Sequence, residues 1–211
     1  MTSEQPAAGS VDGRTARAER SKAAIVSAHL QLIESGDLSP TGERIAERAG
    51  ISLRTLWTNF RDLEALFAAT GAVVLEREEA QSQPVDLALP LTERIDRFCA
   101  HRAAALETLA PAAAAARLRT PFSKQLQHNR SRHIDLARRG VEQAFAPELE
   151  AGGTTATSLR EALVVAMTTA TTSGDWQMLR QDFDLDETAA RRVMTGTVTA
   201  LLVRWLGQAS P

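Results

Sequence analysis

Residues 41–66 read TGERIAERAGISLRTLWTNFRDLEAL. Their spacing predicts two short amphipathic helices joined by a tight turn, with a third helix starting directly after. Thr41 is placed to cap the first helix by accepting a bond from an orphan N–H, and Ile45, Ala46 and Ala49 share one apolar face. Gly50 follows that face at once, where the chain needs a residue that tolerates positive φ to stop a helix and turn. Ser52 is placed to cap the next helix, whose Leu56 and Phe60 lie one turn apart and face inward. The outer face is left with Arg54, Thr55, Trp57, Thr58 and Asn59. A short helix with a narrow apolar base and a polar outer face suits insertion into a groove, which makes this a helix-turn-helix.

Outward from this unit, Ile25, Ala28, Leu32 and Ile33 recur at helical spacing and predict a first helix over 19–35, closed by Gly36. Its apolar face would cover the helix-turn-helix and complete a three-helix head over 19–66. Residues 1–18 carry Pro6, Gly9 and Gly13 and no periodicity, and read as a disordered arm. Arg14, Arg17 and Arg20 are expected either as part of a solvated tail or as cations that follow a DNA backbone. Asp62 is placed to cap a long helix from Leu63 towards Gln81, and QSQPVDLALP after it reads as a loop.

The remainder, 67–211, reads as all helix. Leu91, Ile95, Phe98, Arg102, Leu106 and Leu109 share a face until Pro111, which is expected to break the run. A short helix over 112–120 stopped by Pro121 and another over 122–145 follow, with Pro147 and Gly152-Gly153 marking a loop. Two last helices are expected over 157–179 and 186–207. The apolar face of the second is too wide for one contact. The pair therefore either packs within the chain or forms a four-helix interface with a second copy.

At residues 41–66 the chain also resembles the TetR family of bacterial transcriptional regulators, whose usual signature reads T-x-x-x-I-A-x-x-A-G-V-S-x-x-T-L-Y-x-H-F-x-x-K-E-x-L. Thr41, Ile45-Ala46, Ala49-Gly50-Ile51-Ser52, Thr55-Leu56-Trp57, Asn59-Phe60 and Glu64-Ala65-Leu66 carry the match. Trp57 replaces the usual Tyr, Asn59 the usual His and Leu63 the usual Lys. The resemblance implies a homodimer through the last two helices, a double-stranded DNA operator, and a small-molecule effector held in the body. It also implies that the helix from Leu63 couples head to body.

Composition sets the bounds. A chain of 211 residues with 44% apolar content can bury a sizeable core. No apolar run approaches the roughly 18 residues of a membrane span. The opening MTSEQPAAGSVDGR is polar and acidic where a signal peptide is basic then apolar, so a cytoplasmic protein is expected. The formal net charge is −2. From Arg14 to Arg61, however, eight cations face five acids, a net +3 that leaves −5 for the rest. A mildly basic head on an acidic body is consistent with phosphate contact at one end.

The DNA-binding candidates are Thr41, Ser52, Leu53, Arg54, Thr55, Trp57, Thr58, Asn59 and Arg61. Arg54 is expected to bond guanine with both guanidinium prongs, or else to contact phosphate or stay a free surface group. Leu53 is suited to a thymine methyl. Trp57 either donates its indole N–H to a phosphate or packs inside the head, and Arg61 could compensate for the absent lysine at Leu63. Candidates for lining an effector pocket are Phe98, Arg102, Phe122, Leu126, Met167 and Trp176, each with plain core packing as its alternative. The basic run Arg117, Arg119, Lys124, Arg130, Arg132, Arg138 and Arg139 either favours an anionic ligand or is a solvated face.

His29, His101, His128 and His133 lack metal-ligand spacing, and there is no Gly-rich phosphate loop or nucleophile elbow. No metal, no cofactor and no catalysis are therefore expected. Cys99, the single cysteine, excludes an intramolecular disulfide and is expected as a buried small residue ahead of a redox sensor. The expected protein is an all-α, ligand-responsive regulator, taken as a repressor. The rival is a helical ligand-binding or enzymatic protein whose head no longer binds DNA.

Overall fold

The computed structural model describes residues 9–151 and 157–209, and among them there is helix and no strand. Helices α1 (Gly9–Glu34), α2 (Gly42–Ala49) and α3 (Leu53–Asn59) form the head. Helix α4 (Leu63–Gln81) leads into a body of α5 (Leu91–Arg117), α6 (Lys124–Ala144), α7 (Ala146–Glu150), α8 (Thr157–Ala170), α9 (Ser173–Gln177) and α10 (Glu187–Ala209).

The local signals in the head work as their chemistry requires. Thr41 Oγ1 accepts from Arg44 N at 3.4 Å, Ser52 Oγ from Thr55 N at 3.1 Å, and Asp62 Oδ1 from Ala65 N at 2.7 Å. Each satisfies an orphan donor at a helix start. Gly50 sits at φ 67°, and Ile51 N reaches back to Ala46 O at 3.0 Å, closing the turn. Ile25, Val26, Leu32, Ile45, Ala46, Leu56, Phe60 and Leu66 make one buried cluster that ties α1, α2 and α3 to the first turn of α4.

Five expectations need correction. Helix α1 begins at Gly9, so residues 9–18 of the expected arm are helical; residues 1–8 lie outside the described residues. Ala16, Arg17, Ala18, Glu19 and Arg20 are good helix formers, and Arg20 Nε bonds Ala16 O at 3.2 Å. Pro111 does not break α5. It removes one N–H, but the alanines after it propagate the helix, and Leu109 and Ala115 are buried on either side.

The helix expected from Phe122 starts instead at Lys124, because Ser123 Oγ caps Leu126 N at 3.2 Å; Pro147 opens the short α7 rather than a loop. Gly152-Gly153 lies outside the described residues. The helix expected over 157–179 stops at Ala170. Two Arg102 donors, Nε at 3.2 Å and Nη2 at 2.8 Å, take the Thr171 carbonyl out of the helical ladder. A cation on the last carbonyls of α8 suits a helix C-terminus.

The body core gathers Ile95, Phe98, Cys99, Leu106, Phe145, Met167, Trp176, Met194, Leu202 and Trp205 among others. A fully buried ion pair closes its far end. Arg94 donates both prongs to the Glu148 carboxylate and also bonds Ala144 O, while Trp205 Nε1 donates to Glu148 O at 2.8 Å. Cys99 is buried, and burial pushes its thiol up to about 11, so it is held as an inert thiol. No described helix is long and apolar enough to cross a membrane.

Head and body meet at Ile33, Phe67, Ala115 and Leu126. Beside them His29 is fully buried, edge-on to Phe67 with ring centroids 4.4 Å apart. Thr70 Oγ1 donates to Leu66 O, so its 2.8 Å contact with His29 Nδ1 requires the imidazole to be the donor there. His29 Nε2 has no partner among the described residues. Burial, then the positive Arg119, pushes the imidazole down to about 4; Asp37 opposes this weakly.

Because the unfolded chain takes up this proton near pH 6.5 and the native protein only near 4, stability should be flat above about 6.5. It should then fall by roughly 3 kcal/mol as pH drops to 4. Chemical denaturation across that window should show the loss, and His29→Gln should flatten it. A wild-type stability constant from pH 7 to 4 would contradict the assignment.

Candidate nucleic-acid interface and body cavity

On α3 most of the polar side chains turn back onto their own helix. Ser52 Oγ and Thr55 Oγ1 lie 2.8 Å apart, Thr58 Oγ1 donates to Arg54 O at 2.8 Å, and Asn59 Nδ2 donates to Thr55 O at 2.8 Å. Arg54 is exposed and has no partner among the described residues. Arg61 is also exposed, with Nε 2.9 Å from Asp62 Oδ2; a pair so solvated holds the side chain only weakly. Thr41 is exposed beside this face, its hydroxyl engaged as the α2 cap.

Two apolar members of the face behave differently from each other. Leu53 is half-buried against the head core. Trp57 is 38% exposed and lies across the first turn of α2, where its Cζ2 would stand 2.5 Å from a Cβ on Gly42. Any side chain at Gly42 would drive the indole away. Gly42 is thus a positioning residue that the sequence reading missed; its one signal was a glycine at a first helical position, where glycine has no propensity advantage. Leu63 is half-buried against both the head core and the junction, so it packs where a lysine would project.

The body holds a cavity of about 140 Å³ between α4, α5, α6 and α9. Val74, Leu106, Leu109, Leu126, Ile134 and several alanines give it an aliphatic wall. Its polar side is Glu78, buried on α4, which accepts from Arg102 Nη1 at 2.8 Å and pairs with His133 Nδ1 at 2.6 Å. Burial opposes ionisation of Glu78, but the bonds from His133 and Arg102 outweigh it and hold the carboxyl below its ordinary value. On α6, Asn129 Nδ2 reaches Ala68 O at 2.9 Å across Gly71, where a Cβ would come within 2.8 Å of that nitrogen.

Of the residues expected to line a pocket, Arg102 and Leu126 do so. Phe98 lines a separate cleft of about 70 Å³ under the α4–α5 loop. Met167 and Trp176 are core, with Trp176 Nε1 donating to Glu107 Oε1 at 2.8 Å. Phe122 is 88% exposed and outside the cavity. Glu78, Asn129 and His133 went unnoticed because no spacing links them; they meet only through the packing of α4 on α6. Among the described residues no cluster of three or more His, Cys, Asp or Glu is placed to hold a metal ion.

The fold is similar to that in a crystal structure of a transcriptional regulator from Rhodococcus sp. Rha1, with a TM-score of 0.61 and 17% identity. The match covers 88% of this chain and 95% of that one. The two share a fold. No family model and no curated protein matches this chain.

Gly42→Ala should displace Trp57 and expose it further. Because Trp176 and Trp205 are buried, the red shift of tryptophan emission should come from Trp57 and be absent in Gly42→Ala/Trp57→Phe. An unshifted Gly42→Ala spectrum would contradict the packing described.

Proposed function

We propose that this protein is a TetR-type transcriptional regulator, acting in the cytoplasm as a homodimeric repressor on a near-palindromic operator. The observation that carries the reading is α3 itself: a short helix, capped by Ser52 behind the Gly50 turn, that presents Arg54 outward and unpaired. An unengaged guanidinium can bond guanine O6 and N7 in the major groove. Thr41, Ser52, Thr55, Thr58, Asn59 and Arg61 surround it with groups suited to phosphate oxygens, and the indole N–H of Trp57 has no partner among the described residues. Leu53, though half-buried, borders the same face. The head of 19–66 would be the DNA-binding part and 67–211 the ligand-binding and dimerising part.

Dimerisation through α8 and α10 is supported by an apolar stripe that no described residue covers. Leu159 and Val165 on α8 and Val193 and Val203 on α10 are exposed. Along α10 the sequence Val193, Gly196, Ala200, Val203, Gly207 repeats at steps of three and four, the period of a helix–helix seam. A Cβ at Gly196 or Gly207 would meet nothing within 4 Å, so packing within the protomer gives neither residue a reason to be glycine. Close approach of a second copy does. Two such heads would place their α3 helices in successive major grooves roughly 34–36 Å apart or somewhat more.

Control by a small molecule is supported by the place of the cavity. Gly71, Val74 and Glu78 of α4 form part of its wall, and the same helix contributes Leu66 to the head core. A ligand that prefers a body geometry with mis-spaced heads would release DNA by that difference in affinity, commonly ~1–3 kcal/mol.

Arg54→Ala should relax sequence preference, while Arg61→Ala should weaken binding to every duplex alike, as competition binding with specific and random DNA will show. Equal losses on both DNAs for Arg54→Ala would remove it as a base reader. Gly196→Leu, which meets open space in the protomer, should sediment as a helical monomer at micromolar concentration. A Gly196→Leu protein that stays dimeric would move the interface elsewhere.

A further inference from the structure

Arg117, near the end of α5, and Arg130, on α6, both line the body cavity and both are exposed. Neither has an ion pair or hydrogen bond among the described residues. Of their neighbours in the basic run, Lys124 and Arg132 do not line the cavity, and Arg119, Arg138 and Arg139 are engaged elsewhere. Arg119 stands 4.0 Å over the Phe67 ring and donates to Ser39 Oγ, Arg138 pairs with Glu142 and Glu161, and Arg139 reaches Glu79 at 3.4 Å. What is left over from that run at the cavity is a pair of cations.

The rest of the wall has nothing to neutralise them. Glu78 is the one carboxylate among the lining residues, and Arg102 and His133 already occupy both its oxygens. Three arginines against one glutamate give the lining an arginine-to-carboxylate excess of +2. Between these charges the apolar surface is Val, Leu, Ile and Ala, with no Phe, Trp or Tyr, and Thr120, Asn129, Thr172, Ser173 and Gln177 add neutral polar groups. Such a site offers burial to a hydrocarbon chain and charge-assisted, forked bonds to a carboxylate. An ammonium group would meet net repulsion, and an alcohol would gain burial and neutral hydrogen bonds but no charge-assisted ones.

We propose that the cavity takes an alkyl-chain anion, with the chain along Leu106, Leu109 and Ile134 and the carboxylate at Arg117 and Arg130. The proposal rests on reading this cavity as the effector site, and binding tests it separately from DNA release. Octanoate, octanol and octylamine, of equal chain length, can each be titrated calorimetrically into the full-length protein at neutral pH. Octanoate should bind at least tenfold tighter than the other two. Arg117→Gln/Arg130→Gln, which disturbs no internal partner, should lose at least tenfold for octanoate and change octanol by less than twofold. Ala113→Phe, which fills the cavity from α5, should abolish binding of octanoate.

Equal affinity for octanoate and octylamine or octanol would overturn the proposal. So would unchanged octanoate affinity in the double variant or in Ala113→Phe, or no octanoate binding up to millimolar concentration. Octanoate binding that follows the expected pattern while leaving DNA affinity unaltered would uphold the ligand class and sink the effector reading instead.

Discussion

Helix α4 belongs to three hydrophobic clusters at once, and the rest of the molecule depends on that. Leu66 is fully buried in the head, Phe67 in the junction and Val74 in the body. An unbroken helix cannot change its angle at one end and keep it at the other. A tilt of α4 imposed from the body would therefore be met by the packing of α2 and α3. The tie is reinforced at the junction, where the His29–Thr70 bond and the Arg119–Phe67 stack link α1, α4 and the segment after α5. Close packing of this kind tends to have discrete arrangements rather than a continuum.

Buried charge defines the arrangement seen here. Glu78 on α4, Arg102 on α5, His133 on α6 and the Thr171 carbonyl at the end of α8 form one chain of bonds. Three parts of the body are thus in register with the helix that carries the head. Desolvation makes such networks weak sources of net stability, but breaking one member leaves another uncompensated. The cavity abuts this network on its polar side, so a ligand there would lie against the groups that hold α4 in place.

What could be read from the sequence was what is local. Thr41, Ser52 and Asp62 cap their helices, and Gly50 turns the chain, because each acts within a few residues of itself. The span of α4 from Leu63 to Gln81 followed from its cap and its loop for the same reason. Where expectation failed, the deciding partner was distant. Arg102 ends α8 from 69 residues away, and tertiary burial on both sides of Pro111 carries α5 through a residue that usually stops a helix. The outward residues of α3 were legible from periodicity alone, whereas the role of Gly42 under Trp57 needed the crossing of α2 and α3. Among the expected pocket residues, helical spacing placed side chains on an inward face without saying whether the space inside was filled. Met167 and Trp176 fill it; Arg102 and Leu126 border what is left.

The central claim is that the α3 face reads DNA, and selection from a random duplex pool tests it most directly. Purified full-length protein should enrich a near-palindromic motif whose half-sites lie about one helical turn or somewhat more apart, with affinity that falls as salt rises. A folded protein that enriches no motif at low or at moderate salt would contradict it.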